Sequence, residues 1–364
     1  LVPSINKEHL FGGISTAIKF FEELASQGIE KRIILMDAAP ASEDLVRFKE
    51  YKLVSAQDDP TYVAQIIPFN DRYQKTIPVR KSDIFIATAW WTAYHAQRVA
   101  EWQEKEYQQY KRNTVIYFIQ DYEPCFYPWS SQSILAESTY RYEGPQIGVF
   151  NTALLKDYIL EKGFKFSETY SFEPQLNEEL KRYLNKADIS NKKKKILIYG
   201  RPNVARNAFT LIIEALRIWV WNYKDSDNWE VISLGEQHPD IELGKNIFVR
   251  SYGKVTIMEY AKLMEESSVG VSLMISPHPS YPPLEMAYFG MRVVTNHYAN
   301  KDLSTWHGNI NSISLITPNL IANSIELECN NYLNGNTGIA YNTDYILEKE
   351  GFPFINNLRN HLSI

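Results

Sequence analysis

The 364-residue sequence has few cysteines, no long apolar run and no excess of basic residues. Two cysteines, Cys125 and Cys329, are too few for a disulfide framework or a cysteine-rich zinc site. The apolar stretches around Ile33 and Val115 are bounded by charges and are too short to cross a bilayer. A formal net charge of -5 disfavours nucleic acid as a partner. The composition is therefore that of a globular protein, and no secretory signal is recognisable from Leu1 onward.

The common nucleotide-binding and hydrolase motifs are also missing. No G-x-G-x-x-G, G-x-x-x-x-G-K-[ST], H-E-x-x-H or G-x-S-x-G string occurs, and the seven histidines show no metal-ligand spacing. Asp225-Ser226-Asp227 spells the D-x-D string of metal-dependent sugar transferases. It precedes a predicted strand, Glu230–Gly235, whereas ligands bind beyond the carboxyl ends of parallel strands. We interpret the string as a turn, and we predict no metal site and no cofactor.

The order of apolar segments predicts an α/β protein. Short apolar runs alternate with segments of helical period, which is typical of parallel sheets with crossover helices. The alternation pauses between Glu173 and Asn191, and a new strand begins near Ile196. We therefore predict two facing, doubly wound, Rossmann-like domains with an active-site cleft between them, residues 1–187 and 188–351. The predicted strands are Arg32–Met36, Asp83–Ala87, Val115–Gln120, Gln146–Asn151, Lys195–Gly200, Glu230–Gly235, Asn246–Val249, Val269–Leu273, Arg292–Thr295 and Ser314–Ile316.

The end of the chain is predicted to return to the first domain. Ile355, Leu358 and Leu362 lie at positions i, i+3 and i+7, which gives one apolar helix face. Pro353 suits the start of that helix. We expect residues 352–364 to pack on the first domain.

Glycines and arginines at predicted strand ends favour an anionic ligand. Gly12 and Gly13 open the first helix, where bare backbone amides attract an anion, although a tight turn is the plainer explanation. Gly200 and Arg201, with Arg206, follow the first strand of the second domain. Guanidinium groups bind phosphate oxygens in pairs, so this loop is a candidate diphosphate clamp, with ordinary surface arginines as the alternative.

Two further loops are predicted at the same edge. Tyr252 and Lys254 follow the Asn246–Val249 strand, where they would offer a ring to a base and a charge to phosphate, and each is equally well explained as a surface residue. Four prolines between positions 277 and 283 form a rigid loop before a helix. Glu285 falls in the first turn of that helix, where its carboxylate can accept hydrogen bonds from ribose hydroxyls. Free amides around Leu284 would face a phosphate, and the alternative is that Glu285 only complements the helix dipole.

These segments, in this order, resemble GT-B glycosyltransferases, in particular the retaining glycosyltransferase family 4. Gly200-Arg201 with Arg206 matches the clamp of that family, and Pro282–Ala287 matches the second half of its E-x7-E segment. The first glutamate of the pattern falls at Pro277, where this chain departs from the family. Ser276–Gly290 and Gln120–Pro124 are most similar to the WsaF-like rhamnosyltransferases of bacterial surface-layer polyrhamnan synthesis.

The resemblance implies a specific activity, with residues 1–187 as the acceptor-side domain and residues 188–351 as the domain that binds the nucleotide sugar. L-rhamnose would pass from dTDP-β-L-rhamnose, a substrate rather than a cofactor, to a rhamnose-bearing, lipid-linked glycan acceptor, with retention and without metal. A cytoplasmic enzyme at the inner face of the membrane is implied, with peripheral membrane contact left open. The residues implied in catalysis are Arg201, Lys254, Glu285 and Asp121. The residues implied in donor binding are Gly12, Gly13, Gly200, Arg201, Arg206, Tyr252, Lys254, Pro283, Leu284 and Glu285.

Three alternatives stay open at this point. A nucleotide-sugar epimerase of the same fold would consume donor without an acceptor. A transferase with another nucleotide-sugar donor would share the same loops. A glycan-binding protein without catalysis would explain the 24 tyrosines and 8 tryptophans, which fit a surface that meets sugar rings. Core and interface packing, however, explains aromatic residues more often.

Overall fold

A computed structural model describes residues 1–6, 12–25, 28–55, 64–70, 76–184, 189–347 and 351–364. The chain divides into two compact units, residues 1–172 with 349–364 and residues 173–348. The described strands are β1 (Lys31–Leu35), β2 (Lys52–Leu53), β3 (Ala64–Pro68), β4 (Ile86–Ala87), β5 (Val115–Ile119), β6 (Gln146–Asn151), β7 (Glu168–Phe172), β8 (Lys193–Gly200), β9 (Glu230–Gly235), β10 (Ile241–Gly244), β11 (Ile247–Gly253), β12 (Ser267–Val271), β13 (Arg292–Asn296) and β14 (Ile310–Ile313). The described α-helices are α1 (Gly13–Leu24), α2 (Trp90–Glu106), α3 (Ser131–Tyr140), α4 (Ala153–Glu161), α5 (Glu178–Leu184), α6 (Phe209–Asn222), α7 (Ile257–Glu266), α8 (Pro282–Tyr288), α9 (Pro318–Leu333) and α10 (Ile355–Leu362).

The first unit contains parallel strands in the orders β1-β3-β2 and β4-β5-β6-β7. The first two residues of the chain lie between β1 and β4. Val2 pairs in parallel with Leu35, and the amino group of Leu1 donates to the carbonyl oxygen of Ile86 at 2.7 Å. Because all these segments run the same way, the carboxyl ends of β1, β4 and β5 meet at one edge of the unit.

The strands of the first unit are apolar on both faces because helices cover each face. In β5, Tyr117 packs in a cluster with residues of α2 and α4, whereas Phe118 packs in a second cluster with α1 and α10. Within α10, Ile355 and Leu358 are buried in that second cluster. The Arg359 guanidinium also donates to the carbonyl oxygen of Leu24 at 3.2 Å, so residues of α10 belong to the core of the first unit.

The second unit is built on one sheet with the strand order β10-β11-β9-β8-β12-β13-β14. Its pairs are parallel except β10, which runs antiparallel to β11. The central strand β8 alternates between two buried clusters: Ile196 and Ile198 face α6 and α9, whereas Leu197 faces α7 and α8. The fold-class prediction, α/β with parallel sheets, is confirmed.

Residues 173–184 belong to the second unit, although the sequence analysis assigned them to the first. The backbone amide of Leu176 donates to the carbonyl oxygen of Tyr345 at 2.9 Å. Leu176 and Leu180 are buried in one cluster with Leu303 and Tyr345. Burial of these leucines at i and i+4 therefore ties α5 to the second unit. The boundary drawn between residues 187 and 188 lies outside the described residues.

Several strand predictions agree with the structure and others do not. Gln146–Asn151 and Glu230–Gly235 are predicted with their observed bounds. The strand predicted at Ser314–Ile316 is wrong, because the chain pairs with β13 at Ile310–Ile313 while Ile316 packs on the core from the loop before α9. Strands β2, β3, β7 and β10 are missing from the prediction. None of the described helices combines the length and apolar character needed to cross a bilayer.

Candidate functional site

The chain segments at the ends of β8 and β9 approach each other closely at the carboxyl edge of the second unit. Gly235 ends β9 with φ of 125°, a conformation that favours glycine. A Cβ atom at Gly235 would lie 2.8 Å from the carbonyl oxygen of Gly200 and 3.0 Å from Cγ of Arg201. The close approach of two strand ends therefore brings Arg201 to this edge, as predicted from its position after a strand.

Arg201 is held in place by a carboxylate that the sequence analysis missed. Its Nε donates to Oε1 of Glu236 at 3.3 Å, and Oε2 of Glu236 accepts the backbone N–H of Asn203 at 3.0 Å. Glu236 directly follows Gly235, so it fixes the first turn of the loop that follows β8. A guanidinium group carries five N–H donors, and the Nε contact uses one of them. The Arg201 side chain is 34% exposed, which leaves it accessible to a ligand.

The Arg206 loop is joined to the proline-rich loop by hydrogen bonds. The backbone carbonyl of Arg206, within a short 3-10 helix at Ala205–Asn207, accepts the N–H of Ile275 at 2.7 Å. The side-chain amide of Asn207 donates to the carbonyl oxygen of Leu273 at 3.2 Å. Two of the loops selected from the sequence are thus neighbours in the second unit.

Glu285 lies in the first turn of α8, and one of its oxygens is already engaged. The hydroxyl of Tyr260, on α7, donates to Oε2 of Glu285 at 2.8 Å. Burial raises the pKa of Glu285 to about 7, and the hydrogen bond from Tyr260 acts in the opposite direction. Burial also raises the pKa of Tyr260 well above its ordinary value, so its hydroxyl stays protonated and remains a donor.

Tyr199 connects Arg201 and Glu285 electrostatically. Burial raises the pKa of the Tyr199 phenol, the nearby Glu285 carboxylate raises it further, and Arg201 opposes both effects. Tyr199 lies near the end of β8, and its ring packs against the buried cluster that contains Leu284, the neighbour of Glu285 in α8. Arg201 and Glu285, which are 84 positions apart in the sequence, therefore both lie beyond the ends of the adjacent strands β8 and β12.

The loop between β12 and α8 is shaped by buried polar side chains as well as by its prolines. Asn296 accepts the backbone N–H of Met274 at 2.7 Å, and the ammonium group of the buried Lys301 donates to the Met274 carbonyl oxygen at 2.7 Å. Further along, Nδ1 of His278 accepts the N–H of Ser280 at 3.0 Å. These residues were missed because their contacts with the loop arise only from folding.

The remaining predicted residues of the second unit lie at the same edge in different environments. Pro283 and Leu284 are buried in the first turn of α8. Tyr252 and Lys254 are exposed at the end of β11, which β9 separates from β8 in the sheet. A role for these four residues in ligand binding stays a prediction.

Gly12, Gly13 and Asp121 lie in the first unit. Gly12 has φ of 50°, and Gly13 begins α1. A Cβ atom at Gly13 would lie 2.2 Å from Oε1 of Gln120, and Nε2 of Gln120 donates to the Gly13 carbonyl oxygen at 2.6 Å. The Gln120 side chain therefore packs directly against the backbone of Gly13, in the space that a larger residue would need. Asp121 is buried, and its Oδ1 accepts the backbone N–H of Tyr122 at 2.8 Å.

The D-x-D string forms the predicted turn. Ser226–Asn228 is a short 3-10 helix ahead of β9. Oδ2 of Asp225 pairs with Nζ of Lys194 at 2.7 Å, and its other oxygen accepts a hydrogen bond from Asn228. Across the ranges that the structure describes, no three His, Cys, Asp or Glu side chains gather closely enough to hold a metal ion.

Solved glycosyltransferases share this fold. WaaG, a glycosyltransferase involved in lipopolysaccharide biosynthesis, aligns over 97% of this chain and 96% of its own, with a TM-score of 0.55 and 13% identity. Sucrose-phosphate synthase from Thermosynechococcus elongatus aligns over 90% of this chain and 86% of its own, with a TM-score of 0.53 and 12% identity. At such low identity the likeness establishes the fold, which is GT-B.

Family models matched to the sequence identify the two domains more closely than the fold does. Residues 1–153 match the family model of the WsaF N-terminal domain, and residues 194–326 match that of the WsaF C-terminal domain. The chain therefore carries both WsaF domains in order, on a GT-B fold. The O-antigen biosynthesis protein RfbC of Myxococcus xanthus is 27% identical over 304 residues, which are 82% of this chain. The chain spans 22% of the length of RfbC.

Proposed function

We propose that the chain transfers L-rhamnose from dTDP-β-L-rhamnose to a rhamnose-bearing acceptor in the synthesis of a surface polysaccharide such as an S-layer glycan. The observation that carries the proposal is the position of Arg201 and Glu285 beyond the carboxyl ends of the adjacent strands β8 and β12, with Arg201 bonded to Glu236 and Glu285 bonded to Tyr260. The choice of rhamnose rests on the resemblance of Ser276–Gly290 and Gln120–Pro124 to WsaF-like enzymes.

The proposed chemistry is stabilisation of a diphosphate leaving group. Breaking the bond between sugar and phosphate places negative charge on the diphosphate, and a fixed cation lowers the energy of that state. Arg201 is the best placed cation, because Glu236 holds its guanidinium at the strand edge. Arg206 and Lys254 add positive charge to the same proposed subsite.

Glu285 is proposed to bind the ribose of the donor. Tyr260 occupies Oε2, which fixes the rotation of the carboxylate and leaves Oε1 as the acceptor for ribose hydroxyls. Transfer with retention and without a metal ion is part of the proposal, and so is Asp121 as a residue near the transferred sugar. The acceptor is proposed to be lipid-linked, with the enzyme at the cytoplasmic face of the membrane.

A transfer assay with purified chain tests the activity. We expect dTDP to be released from dTDP-rhamnose much faster when a rhamnoside acceptor is present than with donor alone, and we expect EDTA to leave the rate unchanged. Equal consumption of donor without acceptor would favour the epimerase. A rate abolished by EDTA and restored by manganese would overturn the metal-free part of the proposal.

A panel of nucleoside diphosphates tests the choice of donor. A ligand that binds only the folded state raises the melting temperature by mass action, so the preferred nucleotide should give the largest increase. We expect dTDP to exceed UDP and GDP. A larger shift with UDP would exclude the dTDP donor while leaving transferase activity intact.

A further inference from the structure

Two adjacent tryptophans mark the carboxyl edge of the first unit. Trp90 and Trp91 are the first residues of α2, which begins directly after β4. Their ring centroids lie 5.8 Å apart with planes at 83°, and both side chains are partly exposed. Neither indole is part of the buried clusters of the unit. The pair therefore presents aromatic surface where parallel strands bind ligands.

Each indole is held by a hydrogen bond to a different strand end. Nε1 of Trp90 donates to the hydroxyl of Tyr127, which follows β5, at 2.9 Å. Nε1 of Trp91 donates to Oδ2 of Asp37, which follows β1, at 3.1 Å. Tyr127 also meets the Trp90 ring edge-on, with centroids 6.1 Å apart. We call Asp37, Trp90, Trp91 and Tyr127 the tryptophan platform.

The start of α2 is fixed as firmly as the rings. The Thr92 hydroxyl oxygen accepts the backbone N–H groups of Thr88 at 2.9 Å and Ala89 at 3.0 Å. Thr92 is itself buried. Such preorganisation means that little side-chain freedom is lost when a ligand binds. The platform is thus a rigid surface, unlike an incidental pair of exposed rings.

We propose that the tryptophan platform is a saccharide subsite that binds a sugar ring of the acceptor glycan. The inference rests on the proposed transferase function, and to the expected acceptor-side domain it adds a particular surface and a binding mode. One face of a pyranose ring presents C–H groups that pack on an indole, and its rim presents hydroxyls that donate to a carboxylate such as Asp37. The platform offers an indole face and a carboxylate acceptor at once, which matches a neutral polyhydroxylated ring.

The hydrogen-bonding chemistry of the platform favours a sugar over a phosphate. Asp37 is exposed, and its carboxylate accepts hydrogen bonds, which sugar hydroxyls supply and the oxygens of an ionised phosphate do not. Gln120 and Asp121 follow β5, beside the strand end that precedes the tryptophans. The proposed sugar subsite and the predicted residues of the first unit therefore share one edge of one sheet.

The test replaces Trp91 by alanine and compares it with a matched variant on the same helix. Trp102 is 46% exposed on α2, away from the strand end, so Trp102→Ala removes an equal side chain from the same element. We expect Trp91→Ala to raise the KM for a rhamnose oligosaccharide acceptor about tenfold, with the donor KM and dTDP binding unchanged. Trp102→Ala should leave all three values unchanged. If both variants behave alike, the platform proposal is wrong.

Direct binding separates the platform from the proposed reaction. Rhamnose oligosaccharide is titrated onto the chain without donor, and the quenching of tryptophan fluorescence is recorded. Binding that Trp91→Ala loses and Trp102→Ala keeps would support the platform even if no transfer were found. Transfer activity with normal acceptor KM in Trp91→Ala would overturn the platform and leave the transferase proposal standing. Trp91→Phe, which keeps a ring but loses the contact with Asp37, should show an intermediate KM and guards against misfolding of the alanine variant.

Discussion

The two units repeat one architecture, parallel strands between helices, but their carboxyl edges carry different chemistry. The edge of the second unit holds titratable groups in mutual contact, with Arg201 paired to Glu236 and Tyr260 bonded to Glu285. The edge of the first unit holds the indoles of Trp90 and Trp91 instead. The sheet therefore determines where a ligand binds, and the loops determine which chemical class it belongs to.

The largest expected effect is the loss of the buried cluster that supports the carboxyl edge of the first unit. Deleting residues 352–364 removes four buried side chains, Phe352, Phe354, Ile355 and Leu358, from the cluster around β5. Truncating one buried leucine or phenylalanine costs about 2–5 kcal/mol, so the loss of all four should unfold the first unit. Hydrogen exchange is expected to lose protection in β5 and to keep it in β8.

Two point variants in α10, one at a buried residue and one at an exposed residue, sharpen the deletion test. Leu358→Ala should destabilise the chain by about 2–5 kcal/mol in urea denaturation, because Leu358 is fully buried. His361, one turn along the same helix, is exposed, and His361→Ala should stay within about 0.5 kcal/mol of the wild type. Equal stability of the deleted chain would mean that α10 contributes nothing to the first unit.

Arg201→Ala should produce the largest loss of activity without loss of folding. Removing one preorganised donor from a site of developing negative charge costs about 100- to 1000-fold in kcat. The donor KM should rise less than kcat falls, since the charge on the diphosphate grows as its bond to the sugar breaks. Steady-state kinetics at saturating acceptor measure both values.

A surface arginine that is also paired with a glutamate provides a matched control for Arg201. Arg217 pairs with Glu214 on α6, and both side chains are exposed, so Arg217→Ala should leave kcat unchanged. Turnover that survives Arg201→Ala would show that the diphosphate binds elsewhere on the chain.

Glu285→Ala should weaken nucleotide binding by a smaller factor. The ribose hydroxyls would lose a charged acceptor, and such hydrogen bonds contribute about 1.5–3 kcal/mol. Isothermal titration with dTDP gives the change in affinity, and the melting temperature of the free protein controls for folding. Wild-type affinity in the variant would remove Glu285 from the proposed site.

Sequence reasoning located most strands that are buried on both faces, because continuous apolar runs such as Val115–Ile119 have no other common explanation. It missed β3, which is also buried but contains only three apolar residues before its proline. It missed β2 and β10, which contain two and four residues and therefore carry little pattern. It selected Arg201 and Glu285 from loops that follow strands. It passed over Glu236, although Glu236 follows the predicted strand Glu230–Gly235 just as Arg201 follows β8. It could not select Tyr260, because the contact of Tyr260 with Glu285 spans 25 positions and depends on how α7 packs beside α8.

The smallest expected effect is a pH shift that separates the role of Tyr260 from that of Glu285. Burial raises the pKa of Glu285 to about 7, so its carboxyl group is partly protonated in the neutral range. Ribose hydroxyls bind the ionised form better, and dTDP affinity should therefore increase as the pH rises through 7. Tyr260→Phe removes the hydrogen bond that lowers this pKa, so the midpoint should move to higher pH.

Glu285→Gln provides the reference for this measurement, because glutamine cannot titrate. The phosphate of dTDP also titrates near neutrality, but it does so equally with all three proteins, so the difference from Glu285→Gln isolates the carboxyl group. For folding, the sign is opposite to that for binding: a carboxyl with a raised pKa favours the folded state below about 4.5, and this contribution is lost as the pH rises through 7. A Tyr260→Phe midpoint equal to or below that of the wild type would show that Tyr260 does not stabilise the charged form of Glu285.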